Sequence, residues 1–463
     1  MKISNLHDLK CYFSYESTAI IGLATQAINR LGLEGIYPDY RIAATNWFKD
    51  HAKFRENVDI FCLEELDGDL PLSSRLEYLF THSKFIDYIA SFTEKPSFFS
   101  FQSNSIIKQV CEDQGWRYLM PDPSFTTRFE HKVNFRQLLE KNGLKGLFPD
   151  YMLVKKGQLS FDVIQLQLGL PFVLQLAVAA GGEGTFIIET EDIFHEVIEA
   201  QNQNQFIVSQ YISGHSLSIL SVITPWGSVY CPAQVQIINP FQRADSMGQY
   251  NGHDWTFSRT LIDSAAQAQS RMLVEQVGEI LRTEGFKGMF GLDLQLALDG
   301  RVYLIECNPR ITAAIPMLDW INLAQSSIPL SALHVLAFIG HDIELDIDAI
   351  QKELLQPKDG SHLKLRSLLD VSSDIYIELK PGSYRFNGRL NYVSDNYKLE
   401  QLQKGQFLLV NIPQEGMTYS KRAIITTLIS PTSILDKNGG LNKQTREIVD
   451  AFYLQCRQHQ GNP

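Results

Sequence analysis

Residues 291–310 read Gly291-Leu-Asp-Leu-Gln-Leu-Ala-Leu-Asp-Gly-Arg-Val-Tyr-Leu-Ile-Glu-Cys-Asn-Pro-Arg310, two runs of alternating apolar and polar side chains around Asp299-Gly300. Asp-Gly between such runs is among the strongest short signals of a hairpin turn. A two-residue turn pairs Leu298 with Arg301 and, counted back along both strands, sets Asp293 opposite Glu306, with Gln295 and Asn308 on the same face. Directly opposed Cβ atoms lie roughly 5 Å apart, where like charges repel unless something positive sits between them. A divalent cation removes the conflict. Oxygen donors without sulfur or imidazole suit a hard ion that keeps waters and takes further oxygens from phosphates, as Mg²⁺ commonly does. The other face, Leu292, Leu294 and Leu296 with Tyr303, Ile305 and Cys307, is expected to be core. Taken alone, the hairpin reads equally well as a solvated face carrying two unrelated acids.

Its surroundings favour the metal. Asn308-Pro309-Arg310 ends the second run; the proline stops the pairing, so Arg310 projects past the strand end, where a guanidinium can clamp a phosphate or carboxylate. Upstream, Pro171-Phe-Val-Leu-Gln-Leu-Ala-Val-Ala-Ala-Gly181-Gly-Glu-Gly-Thr185-Phe-Ile-Ile188 is a strand, a glycine-rich turn and a second strand. Glycines let backbone N–H groups approach phosphate oxygens. Neither GxxxxGK[ST] nor GxGxxG is present, so the two commonest phosphate loops do not apply; a flexible hairpin tip is the plain alternative. Further on, Gln205-Phe-Ile-Val-Ser-Gln-Tyr-Ile212 is an apolar strand ending at Ser213-Gly214-His215, and a strand end with unpaired backbone groups can hydrogen-bond a purine edge.

From the start to about residue 125, strand-like runs (Ala19 to Ala24, Ile60 to Leu63, Ser97 to Phe101) alternate with helical patterns (Arg75 to Ser91, Ile106 to Gln114), which predicts an open α/β sheet. Pro121-Asp122-Pro123 marks a boundary before a helix over Glu130 to Asn142 closed by Gly143. Helices over Asp192–Asn202, Ser264–Glu284 and Lys443–Gln458 follow, among strands and glycine turns. The domain reading is 1–122, an N-terminal α/β domain; 123–340, a core; and 341–463, a C-terminal lobe. The fold class is thus α/β and α+β.

The chain has 463 residues, 44% hydrophobic and 20% charged, enough to fill several cores. A net charge of -11 disfavours nucleic acid and anionic membranes as partners. The six cysteines show no CxxC or zinc spacing. The first ten residues lack a signal-peptide stretch, and the apolar run Ile328 to Gly340 contains His334 and is too short to cross a bilayer. The expected location is the cytoplasm.

Lys132 after the proline break, Gln175 on its strand, Gly181-Gly182-Glu183-Gly184-Thr185, the Val208-to-Gly214 segment and the 291–310 hairpin resemble, in order and spacing, the ATP-grasp superfamily over roughly residues 120–320. The resemblance implies a two-lobed core, 123–205 and 206–340, with ATP held between the lobes and a carboxylate joined to an amine through an acylphosphate, with release of ADP. By position it implies Mg²⁺ (or Mn²⁺) on Asp293, Glu306 and Asn308, and Arg310 on the transferring phosphate or acyl group. It also implies Lys132, Gly181, Gly182, Gly184 and Thr185 on ATP phosphates, and Gln210, Tyr211 and Ile212 facing adenine. Two positions depart: Gln175 stands where the family usually has lysine, and His215 near where a glutamate usually holds the ribose. The length is similar to amino-acid and peptide ligases, including the mycosporine-glycine synthase type. Small carboxylate and amine substrates are implied, and a homodimer is left open. Two other readings stand beside it: a non-catalytic nucleotide-binding protein and a bicarbonate-activating carboxylase.

Overall fold

The computed structural model describes residues 1–68, 76–179, 184–241, 248–369, 373–419 and 422–460. Strands β1 (Ile20–Ala24), β2 (Tyr40–Ala44), β3 (Asp59–Cys62), β4 (Ser97–Phe99) and β5 (Arg117–Tyr118) form a parallel sheet in the order β3-β2-β1-β4-β5. The order reverses between β1 and β4, and in such sheets the crevice at that point, beyond the strands' carboxyl ends, is where ligands sit. Phe101, just past β4, lines the large cavity described below. Helix α1 (Ser105–Gln114) starts at Asn104, whose side chain accepts from Ile106 and Ile107 N–H, and ends at left-handed Gly115. That cap pair fixes its two ends.

Helix α2 (Lys132–Lys141) begins two residues later than expected, because Thr126–Glu130 form a wider turn and the His131 ring accepts from Asn134 N–H to cap the helix. Next come β6 (Tyr151–Lys155), β7 (Phe172–Leu176), β8 (Thr185–Ile188) and β9 (Gln205–Gln210), an antiparallel sheet in the order β6-β9-β7-β8 with helix α3 (Glu191–Ala200) between β8 and β9. Gln175 pairs with Thr185 across the mouth of the glycine turn.

The rest is one long antiparallel sheet of β10 (Gly214–Thr224), β11 (Gly227–Tyr230), β12 (Gln234–Ile238), β13 (Tyr250–Asp254), β14 (Gly288–Ala297), β15 (Val302–Asn308), β16 (Ser361–Arg366), β17 (Gly382–Phe386), β18 (Leu390–Ser394), β19 (Gln406–Val410) and β20 (Ile424–Ser430). Its order is β15-β14-β10-β12-β13-β16-β20-β19-β17-β18, with β11 on β10. Residues 361–430 therefore continue the sheet of residues 214–308 through the β13–β16 pair. Helix α4 (Ser264–Thr283) buries Leu273, Val274, Val277 and Leu281 against Leu292, Leu294 and Leu304. Helix α6 (Lys443–Leu454) stops short of the expected Gln458, and Cys456–Gln460 instead pair as a strand with Ser373–Ile377. No helix among the described residues is long and apolar enough to cross a membrane.

Between them, helix α5 (Leu330–Ile339) is buried almost all round, and its histidine has a structural job. His334 is fully buried; Nδ1 accepts from Met289 N–H at 3.0 Å, so the ring proton sits on Nε2 and is donated to the Leu119 carbonyl at 2.8 Å. Burial pushes the imidazole down to about 4. A depressed histidine supplies stability that is complete above about pH 6.5 and is lost as pH falls toward the folded value, about 2 kcal/mol at pH 5. Glutamine offers the same acceptor and donor without titrating. The urea stability of His334→Gln should therefore fall less than wild type between pH 7.5 and 5, and equal falls would refute this.

Candidate active site

The hairpin places Asp293 opposite Glu306, but not by the expected route. The turn has three residues: Ala297 N–H donates to the Arg301 carbonyl, Gly300 N–H donates to the Ala297 carbonyl, and Gly300 takes φ +86°. This shifts the pairing by one, giving Leu296 opposite Val302, Gln295 opposite Tyr303 and Leu294 opposite Leu304. An extra residue, Ile305, then bulges from β15 and restores Asp293 opposite Glu306, Leu292 opposite Cys307 and Gly291 opposite Asn308. The face assignment changes accordingly. Val302 and Leu304 join the core, whereas Tyr303 turns to the side of Gln295 and Ile305 lines the cavity.

The two carboxyl groups face one another across the ladder. Burial and the neighbouring Glu306 hold Asp293 well above the usual carboxylate range. Burial also pushes Glu306 up, but Lys132, whose Nζ lies 2.8 Å from its carboxylate, outweighs that and keeps it low. Asp293 accepts from Gln236 Nε2 at 2.7 Å and from Asn308 Nδ2 at 3.1 Å. A cation held between the two carboxyl groups would relieve their like-charge repulsion. Among the described residues no group of three or more His, Cys, Asp or Glu gathers here. Two carboxylates and one amide fit a hard cation whose other oxygens come from a bound phosphate.

These groups face a cavity of about 660 Å³ between the four-stranded sheet, the long sheet and the N-terminal domain. Lys132, Gln175, Gly184, Thr185, Gln210, Tyr211, Ile212, Asp293, Glu306, Asn308 and Arg310 all line it. Gly181 and Gly182 lie outside the described residues. Arg310 donates to Glu130 and to Asn308 Oδ1, both at 2.9 Å, and its guanidinium lies 4.7 Å from the Phe101 ring. Of the strand end expected to face a purine, Gln210 N–H is used by the Asp150 carbonyl and the Ile212 carbonyl accepts from Gln295 Nε2.

The expectation for His215 is corrected. On β10 it sits opposite Leu296, a core position; the strand's alternation turns Ser216 and Ser218 to the cavity and His215 to the other face, against Phe257 and Gly439. Sequence reasoning missed Arg136, Gln236, Tyr250 and His253, which also line the cavity. Arg136 lies four residues after Lys132 on α2, the spacing that puts two side chains on one helix face. Tyr250 Oη sits between His253 Nδ1 at 2.8 Å and His362 Nε2 at 2.9 Å, so the C-terminal segment reaches the wall behind the site.

Residues 131–314 match the ATP-grasp domain family. It is 24% identical over 307 residues to the [butirosin acyl-carrier protein]–L-glutamate ligase of Niallia circulans, covering 63% of this chain and 67% of the relative. It is 21% identical over 286 residues to the arginine-specific carbamoyl phosphate synthase large chain of Geobacillus stearothermophilus, covering 60% of this chain but only 26% of that one. Among solved structures, phosphoribosylamine–glycine ligase from Thermotoga maritima aligns with a TM-score of 0.58 at 13% identity, over 95% of this chain and 97% of the other. The biotin carboxylase domain of Hydrogenobacter thermophilus 2-oxoglutarate carboxylase, solved with MgADP and bicarbonate, aligns at 0.57 and 13% identity, over 90% and 87%.

Proposed function

We propose that this protein is an ATP-dependent ligase that joins a carboxylate to an amine through an acylphosphate and releases ADP and phosphate. The observation that carries this reading is the half-buried, directly opposed Asp293 and Glu306 beside Asn308 and Lys132, on a cavity between two sheets. Asp293, Glu306 and Asn308 would hold Mg²⁺, or Mn²⁺ in its place; bound there, the cation would supply positive charge to the phosphates during transfer. Lys132 adds a cation from α2, Gly184 and Thr185 close the phosphate side, and Gln210 to Ile212 border the base. Arg310, already pinned by Glu130 and Asn308, steadies the acylphosphate. A carboxylate resists amine attack because its oxygen leaves poorly, and phosphorylation gives it a good leaving group. No nucleophilic Ser or Cys is needed. We assign residues 1–122, 123–340 and 341–463 as N-terminal domain, catalytic core and C-terminal lobe. The buried thiols of Cys62, Cys111, Cys231 and Cys307 suit a reducing compartment, and we place the protein in the cytoplasm.

The test is Mg²⁺-dependent ADP release with a panel of amino acids and other carboxylates, L-glutamate first because a relative's name carries it. The expected result is release that needs both a carboxylate and an amine. Release stimulated by bicarbonate alone would make the protein a carboxylase, and nucleotide binding without release under any pairing would make it a binding protein; either contradicts the ligase reading.

A further inference from the structure

The cations of the cavity are not all paired. Lys132 is paired with Glu306 and Arg310 is paired with Glu130. Arg136 remains. Its side chain is 1% exposed, yet it forms no ion pair with a carboxylate among the described residues, and Glu306 and Glu140 act on it only from a distance. Nη2 reaches Gln175 Oε1 at 3.3 Å, Nη1 reaches the Ile305 carbonyl at 3.4 Å, and Nε has no hydrogen-bond partner. The guanidinium carbon lies 4.5 Å from the Phe148 ring centroid and 4.9 Å from that of Tyr151. Burial lowers its pKa only to about 10, so it is charged at neutral pH.

Two long bonds to neutral oxygens are poor compensation for a buried cation, and the usual remedy is an anion close by. The position narrows which anion. Arg136 stands beside Gln175, which pairs with Thr185 at the mouth of the glycine turn and donates to its hydroxyl at 3.3 Å. It therefore lies on the four-stranded-sheet side of the cavity, against the bulged Ile305 that precedes Glu306. Resting on the ATP reading above, we propose that Arg136 is the phosphate-binding cation of this site: it replaces, from helix α2, the charge that Gln175 does not carry on β7, and Gln175 is the positioning residue that aims its guanidinium. A planar guanidinium packed on aromatic rings is preorganised to take two phosphate oxygens at once. Gln175→Lys by itself would set a second cation against Arg136 and should weaken nucleotide binding.

The proposal is tested by calorimetry of Mg·ADP and of adenosine binding to wild type, Arg136→Gln, Arg136→Lys and the double variant Arg136→Gln/Gln175→Lys, with thermal unfolding of each without ligand. Arg136→Gln should bind ADP about 10- to 100-fold more weakly, the loss of charged hydrogen bonds, and adenosine unchanged. Its melting temperature should hold or rise, because an unpaired buried charge has gone. Arg136→Lys should fall between, and the double variant should recover ADP binding because the charge returns on the strand. Unchanged ADP affinity in Arg136→Gln, or equal weakening of ADP and adenosine, overturns the proposal. If Arg136→Gln fails to fold, Arg136→Lys with wild-type ADP affinity and no rescue in the double variant overturn it equally. A wild type that binds neither ligand overturns the ATP reading itself, a distinguishable result.

Discussion

Glu306→Gln should abolish turnover while the protein folds as before. The substitution removes one of two charges that a cation would need, and transition-state charge left unsupported commonly costs about 10²- to 10³-fold or more. It also relieves the repulsion between Asp293 and Glu306, and the new amide oxygen can still accept from Lys132. The melting temperature should therefore stay level or rise. ADP release at saturating Mg²⁺, measured beside thermal unfolding, reads both. Turnover like wild type would remove the metal assignment, and a collapse in stability would mean that the pair is structural instead.

The second large effect falls far from the chemistry. Asp50, fully buried, joins the N-terminal domain to the C-terminal segment: it accepts from Asn411 N–H at 2.8 Å, Ile412 N–H at 2.7 Å and Tyr397 Oη at 2.9 Å. Asp50→Ala leaves all three donors without their acceptor, and at about 1–3 kcal/mol for each orphaned buried group the variant should lose at least about 3 kcal/mol. The denaturation midpoint measures it. A loss below about 1 kcal/mol would show that water replaces the carboxylate and that the two regions are joined by other contacts.

The hairpin shows what the sequence could reveal. Period-2 alternation and Asp-Gly marked both strands, and Asp293 did end opposite Glu306. The pairing survived only because a three-residue turn and a bulge at Ile305 cancel, and both depend on local backbone geometry that alternation does not encode. The face of His215 was within reach: had β10 been set beside β14, with Ser218 opposite Asp293, its parity would have placed His215 among core residues. Arg136 was harder. An arginine on an amphipathic helix reads as a solvated cation, and only the packing of α2 beneath β7 and beside Phe148 and Tyr151 buries it. The pairing of β13 with β16 joins residues more than a hundred positions apart, a partnership no local pattern announces.

The central claim is transfer of the outer phosphoryl group to a carboxylate, and the nucleotide product tests it most directly. Under the proposed assignment, a cation on Asp293, Glu306 and Asn308 would gather charge where the outer phosphates would lie. With wild-type protein, Mg·ATP and the carboxylate that stimulates turnover, the account predicts ADP and phosphate in equal amounts, and a hydroxamate when hydroxylamine replaces the amine. AMP and pyrophosphate as the stoichiometric products would contradict it.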